Sequence, residues 1–268
     1  MKSNPSDMEA FILGHNYLNN EGSLNFNDAD IIRVLNGNSN VDDADIILVG
    51  DSNSAHYSYG ITLEGNLKVA HLWSGSCYAF IDINTKPYAA WMTSSNWAQK
   101  CHSLYKFVDV NKNVPVVIAQ AWGDRPMECI NNCTPEIAEH DYETIVRSEI
   151  DKLVHYIGDR PIFIIGHVPA PKESMVNCMK GFDTEICDKQ TSKFIGDRIE
   201  DNKMLASIST NYENVVFVNP FNALCNDKKE CQTIIDNNNV FFDEGHLSAF
   251  GSKKIWPYIE GEIEKYLQ

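Results

Sequence analysis

The chain repeats one pattern five times: a short, mainly apolar run that gives way to a turn-forming residue. Ile46-Ile47-Leu48-Val49 runs into Gly50-Asp51-Ser52, and comparable runs occupy 67–73, 114–121, 161–166 and 215–219. A strand with one wet face alternates apolar and polar residues. An unbroken run has to be covered on both faces, as parallel strands flanked by helices are. The segments between the runs supply the helices. In 134–157, Ile137, Ile145, Ile150, Val154 and Ile157 fall near a helical period, with Thr134 as expected N-cap, Pro135 in the first turn and Gly158 at the stop. Further helices are expected over 192–211 and from 248 to the end, the last one bent at Pro257. Strand and helix in alternation give a three-layer α/β/α sandwich around a mainly parallel sheet.

A length of 268 residues suits one main core. Residues 1–44, rich in Asn, Asp, Ser and Gly, read as an irregular or helical N-terminal extension, and 45–268 as the folded domain. A formal net charge of -15 repels phosphate backbones and anionic lipid, so nucleic acid is not an expected partner. The sequence has no apolar run of membrane-spanning length, and the first residues lack the apolar core of a signal peptide. Eight cysteines point to an oxidising compartment. They group as the sequence-near couples Cys129/Cys133, Cys178/Cys187 and Cys225/Cys231, with Cys77 and Cys101 left over, and none has the C-x-x-C spacing of a zinc site. Disulfides and an exported fragment of a longer protein are therefore expected, against the alternative of buried free thiols. Metal ligands and a nucleotide or other cofactor are not expected, since no glycine-rich phosphate cradle follows a strand.

In a parallel α/β sheet the functional site lies beyond the carboxyl ends of the strands. Gly50-Asp51-Ser52 stands there after the first run, and the far end of the chain carries Phe242-Asp243-Glu244-Gly245-His246-Leu247-Ser248 just before the last helix. A serine hydroxyl needs a base within hydrogen-bond reach and a group that orients the base. Ser52 as nucleophile, His246 as base and Asp243 as orienting acid fill those roles, although either half alone also reads as an ordinary helix cap. Asp51 is expected to serve the turn by accepting backbone N–H groups.

The two blocks together resemble the SGNH (GDSL) hydrolase superfamily, whose fold is flavodoxin-like. A closer resemblance is to the SGNH domain fused behind the membrane acyltransferase-3 domain of bacterial O-acetyltransferases that modify surface polysaccharides. It is carried by Val49-Gly50-Asp51-Ser52-Asn53-Ser54-Ala55-His56, by 116–122, by Gly166-His167-Val168-Pro169-Ala170-Pro171, by Cys225 with Cys231, and by 243–251. The resemblance implies an extracytoplasmic, membrane-tethered domain that takes an acetyl group from an acyltransferase-3 partner. The acceptor would be a sugar hydroxyl of a polysaccharide such as lipopolysaccharide O-antigen. It also implies an oxyanion hole, for which Gly75 and the side chain of Gln120 are the available donors, because 116–124 lacks the superfamily's usual asparagine. His56, Trp122 and His167 are candidate substrate contacts, each with packing as its competing role; Trp73, Trp91 and Trp97 are further rings able to stack on sugars. Two other readings stay open: a carbohydrate or lipid esterase with the same three residues, and a catalytically weak carbohydrate-binding module.

Overall fold

The computed structural model describes residues 33–36, 41–75, 77–86, 101–102, 104, 113–123, 126–131, 133, 139–169, 198–227, 231, 233–236, 238–243 and 245–268. Cys178, Cys187, Trp91, Trp97, Thr134 and most of 1–44 lie outside them. In chain order the elements are β1 (Arg33–Leu35), a 3-10 turn (Val41–Asp43), β2 (Ile46–Gly50), α1 (Ser52–Ala55), α2 (Ser58–Glu64), β3 (Val69–Trp73), β4 (Ile83–Thr85), β5 (Val116–Ala119) and β6 (Met127–Cys129). They continue with α3 (Tyr142–Ile157), β7 (Ile162–Ile165), α4 (Arg198–Ser209), β8 (Val215–Val218), α5 (Phe221–Leu224), β9 (Ile234–Ile235), β10 (Asn238–Asn239) and α6 (Ala249–Leu267).

All five apolar runs become strands of one sheet in the order β1-β3-β2-β5-β7-β8. The five strands from β3 to β8 are parallel, and β1 pairs antiparallel on the β3 edge. Helices cover both faces. Ile47, Val49, Val116, Ile118, Ile162 and Ile164 face Ile145, Ile150 and Leu153 of α3 and Leu205 and Ile208 of α4. Their neighbours Ile46, Leu48, Val117, Phe163 and Ile165 face Ile61 of α2 and Ile255, Trp256, Ile259 and Ile263 of α6. That division explains the missing alternation, since each fully buried aliphatic side chain contributes about 1.5–3 kcal/mol on either face.

Helix α3 starts later than the sequence signals suggest. Its N-cap is Asp141, whose carboxylate accepts the Thr144 N–H at 3.0 Å. Helix α6 is capped by Ser248, which accepts from Gly251 N–H at 3.0 Å, and Pro257 lies inside it. Within α3 the buried Glu149 faces the loop that follows β3. Its Oε2 accepts the N–H groups of Ile81 and Asp82 at 2.7 and 3.0 Å, while Lys152 Nζ bridges Glu149 and Asp82 at 2.6 and 2.7 Å. Burial works against the Lys152 charge, but the two carboxylates outweigh it and raise its pKa. Three disulfides join described cysteines: Cys129–Cys133, Cys225–Cys231 and Cys77–Cys101. The last corrects the expectation that Cys77 and Cys101 are left over; a sequence separation of 24 hid the pair.

Candidate active site

The turn after β2 is built so that Ser52 opens α1. A Cβ on Gly50 would stand 1.7 Å from the Ala119 carbonyl oxygen, so only glycine allows β2 and β5 to close up at this point. Asp51, 1% exposed, caps α1 by accepting the Asn53 N–H at 2.8 Å and reaches across to the Ala121 N–H beyond β5 at 3.1 Å. It serves the turn, as its sequence position suggests. Below it, Ser54 Oγ donates to the Asp51 carbonyl at 2.8 Å and lies 3.1 Å from Nε2 of His71 on β3, whose Nδ1 lies 3.3 Å from Ser58 Oγ. The first turn of α1 is thus fastened to both neighbouring strands.

The second half of the site is a tight loop before α6. Phe242 N–H donates to the His246 carbonyl and Ser248 N–H to the Val240 carbonyl, both at 2.9 Å. Inside the loop, Asp243 Oδ1 accepts the N–H groups of Gly245 and His246 at 2.7 Å each. His246 Nδ1 lies 2.8 Å from Asp243 Oδ2, and His246 Nε2 lies 2.7 Å from Ser52 Oγ. The tautomer that satisfies both contacts carries its proton on Nδ1, leaving the Nε2 lone pair to face the serine hydroxyl. Partial burial pushes the Asp243 pKa up, but the hydrogen bonds and charge of His246, with the two backbone donors, outweigh it and hold the carboxyl below its usual value. About a third of each of the His246 and Asp243 side chains remains exposed, so the group is reachable from solvent.

Other predicted residues divide into those near this cluster and those that brace it. His56 is buried, its ring edge-on to His246 with centroids 6.2 Å apart. Burial, and secondly the neighbouring His246, lower its pKa well below the ordinary histidine value. Gly75 follows β3, whose Trp73 registers with Gly50, at the same sheet end as Ser52. Gln120, 1% exposed, uses Oε1 to accept the Ala79 N–H at 2.8 Å, which makes it a brace for the loop after β3. Trp122 is 1% exposed and its indole N–H donates to the Ile165 carbonyl at 2.8 Å. Of its two roles the structure selects packing, because a ring enclosed by Phe80 and the core offers no face to a sugar. His167, also buried, stands after β7 with Nε2 3.4 Å from Asp201 Oδ2.

Arg198, Asp201 and Asn202 are additions that the sequence did not flag. They sit at i, i+3 and i+4 on α4. Arg198 donates to the Val168 carbonyl at 3.3 Å and its charge acts on His56; Asn202 accepts the His167 N–H at 2.7 Å. In a segment as polar as Arg198–Asn202 this spacing looks like a solvated helix face, which is why it carried no signal.

Among solved structures, the periplasmic domain of a lipopolysaccharide acetyltransferase from Salmonella ser. Paratyphi A aligns over 83% of this chain and 84% of its own, at 16% identity and a TM-score of 0.57. A putative platelet activating factor structure from Streptococcus pneumonia aligns over 100% and 93% of the two chains at 11% identity and a TM-score of 0.48. A putative GDSL-like lipase from Bacteroides ovatus aligns over 84% of this chain and 53% of its own at 13% identity and a TM-score of 0.43. At these identities the likeness to the first is one of fold. No curated protein sequence matches the chain significantly. The family model of the SGNH domain fused to AT3 domains, however, matches residues 19–260, and the chain therefore belongs to that family of SGNH-type acyltransferases and esterases.

Proposed function

We propose that the chain is the O-acetyltransferase domain of a surface-polysaccharide-modifying enzyme and works through an acyl group on Ser52. The observation that carries this reading is the pair of contacts on one imidazole: 2.7 Å to Ser52 Oγ and 2.8 Å to Asp243 Oδ2. His246 Nε2 takes the hydroxyl proton as Ser52 Oγ attacks the acyl carbon. Asp243 holds the imidazolium that forms. When the tetrahedral intermediate collapses, the leaving oxygen collects that proton and the acyl group stays on Ser52. A sugar hydroxyl then gives its proton to His246, attacks the acyl carbon and leaves as the ester, and the proton returns to Ser52. The N–H of Ser52, first in its helix and without an intrahelical acceptor, and that of Gly75 are the oxyanion donors in this scheme. Gln120 spends only its side-chain oxygen on the Ala79 N–H, and its buried Nε2 has no partner among the described residues, so that amide is the further donor available to this scheme.

Membership of the AT3-fused family supports a membrane acyltransferase-3 domain as acetyl source, and three disulfides support a location outside the cytoplasm. Among the described residues no helix is long and apolar enough to cross a membrane. The test is acetyl transfer from an activated acetyl ester to a polysaccharide acceptor, read by NMR of the product. Ser52→Ala is expected to reduce transfer and ester cleavage to background. Cleavage that yields only acetate in the presence of acceptor makes the chain an esterase, and activity retained in Ser52→Ala removes the mechanism.

A further inference from the structure

Between α4, the end of β8 and α5 lies a cavity of about 470 Å³ that the Ser52 chemistry does not use. It opens at the carboxyl end of β8, three strand positions from β2 on the same rim of the sheet, or about 14 Å away at the usual strand spacing. Phe217 and Phe221 give it apolar walls, and Asn202, Asn219, Asn222 and Asp227 give it polar ones. This lining is specific in what it leaves unused. Asn219 spends its oxygen on Asn202 Nδ2 and the Phe221 N–H, both at 3.2 Å, while its own amide nitrogen has no partner among the described residues. Asn222 spends its nitrogen on Tyr258 Oη at 3.2 Å, and its side-chain oxygen has no partner among the described residues. The Asp227 carboxylate makes no ion pair among the described residues.

One unused donor, an unused amide oxygen and a carboxylate, set beside aromatic rings, match a sugar ring. Each hydroxyl takes one donor and offers one, and the C–H face of the ring packs on an aromatic. Charge decides which sugars. Among the described lining residues Asp227 repels an anion, and Lys203 is already paired with Glu200 at 2.7 Å. An uncharged ring fits; a uronate or a phosphate does not.

The cavity is also preformed and joined to the site. Cys225–Cys231 pins the loop that carries Asp227, which lowers the ordering cost of binding. A Cβ on Gly166 would meet Asn202 Oδ1 at 2.5 Å and Phe217 at 2.9 Å, so two wall residues press directly on the backbone before His167. Asn202 then clamps the His167 peptide through both its atoms, at 2.7 and 3.1 Å.

We propose that this cavity binds a neutral sugar ring of the glycan acceptor, remote from the hydroxyl that is modified. That the ring belongs to an acceptor rests on the acyl-transfer reading; that the cavity binds it does not. The test is titration of the 15N-labelled 268-residue chain with methyl glycosides of glucose, galactose, mannose and N-acetylglucosamine, and separately with glucuronate and inorganic phosphate. At least one neutral glycoside is expected to shift the side-chain amides of Asn219 and Asn222 at millimolar concentration, with the two anions giving no such shift. Asn219→Asp keeps an oxygen for Asn202 and Phe221 and replaces the donor by a charged acceptor, so it is expected to weaken binding by at least roughly three- to tenfold. Asp227→Ala, on an exposed loop position, is expected to weaken it similarly. The proposal is overturned when no neutral glycoside shifts these amides, when the anions bind better, or when both folded variants bind as the unaltered chain does. Acetyl-ester turnover measured in parallel separates the two readings. Glycoside binding without turnover upholds the cavity and removes the acyl-transfer reading, and turnover without glycoside binding does the opposite.

Discussion

Replacing Asp243 by asparagine isolates the orienting charge from the fold of its loop. Asp243 Oδ1 accepts three N–H groups, those of Gly245 and His246 at 2.7 Å and the ring Nδ1–H at 2.9 Å, while Oδ2 lies 2.8 Å from the same ring nitrogen. An asparagine that keeps its oxygen on the two backbone donors turns its NH₂ toward Nδ1. The imidazole answers by moving its proton to Nε2, where it can no longer accept from Ser52. Loss of the correct tautomer and of the charge opposite the imidazolium costs about 10⁴ in kcat in the comparable serine-enzyme substitution. Four decades correspond to about 5.5 kcal/mol of barrier. The assay is kcat/KM on a chromogenic acetyl ester for both proteins, with circular dichroism to confirm that the fold is retained. A folded Asp243→Asn enzyme within about tenfold of the unaltered one would refute the idea that His246 works through Asp243.

Stability supplies three further expectations. The Asp243 pKa is lowered in the folded chain, so its contribution is present above the ordinary carboxylate range near 3.9 and fades as pH falls through the folded value. The stability gap between the unaltered chain and Asp243→Asn in urea should therefore close on acidification, and a pH-independent gap contradicts the assignment. Glu149→Ala strips the acceptor from Ile81 and Asp82 and leaves Lys152 with one carboxylate, an expected loss of about 3–5 kcal/mol in denaturant unfolding. A loss below about 1 kcal/mol would show that the anchor is dispensable. Ser54→Ala removes the hydroxyl from His71 Nε2 and from the Asp51 carbonyl and is expected to cost about 1–3 kcal/mol while ester turnover persists; a well-folded variant without turnover would transfer suspicion from Ser52 to Ser54.

The sheet was legible because its signal is local and redundant. Runs such as 46–49, 162–165 and 215–218 are apolar at every position and so state by themselves that both faces are covered, and the two interrupted runs agreed with them on one architecture. Edges were less visible. Arg33–Leu35 is too short to declare itself as a strand, and it exists because β3 has an open side to pair with. The start of α3 was misplaced for a different reason: Thr134 with Pro135 is a sound local capping signal, but the helix starts behind Asp141, and local chemistry alone does not decide between caps. The non-local contacts were invisible. Nothing near Gln120 indicates that its carboxamide holds Ala79, or near Cys77 that its partner is Cys101.

The same distinction governs the candidate site, where the two halves announced themselves through local backbone demands and their electrostatic setting did not. Gly-Asp-Ser and Asp-x-x-His each need a capped turn, so both show in the sequence. His56 reads in the sequence only as a candidate substrate contact, yet it decides how the charge at the cleft is shared. Its ring centroid is 6.2 Å from that of His246, and two imidazolium charges at that separation would repel by about 2.7 kcal/mol at an effective dielectric near 20. Burial prevents this by holding His56 neutral. The Leu247 N–H, 3.5 Å from its Nδ1, favours the tautomer with the proton on Nε2. The charge of Asp243 is then left to the one imidazole that contacts Ser52, which is the condition for that imidazole to take up a proton during the reaction.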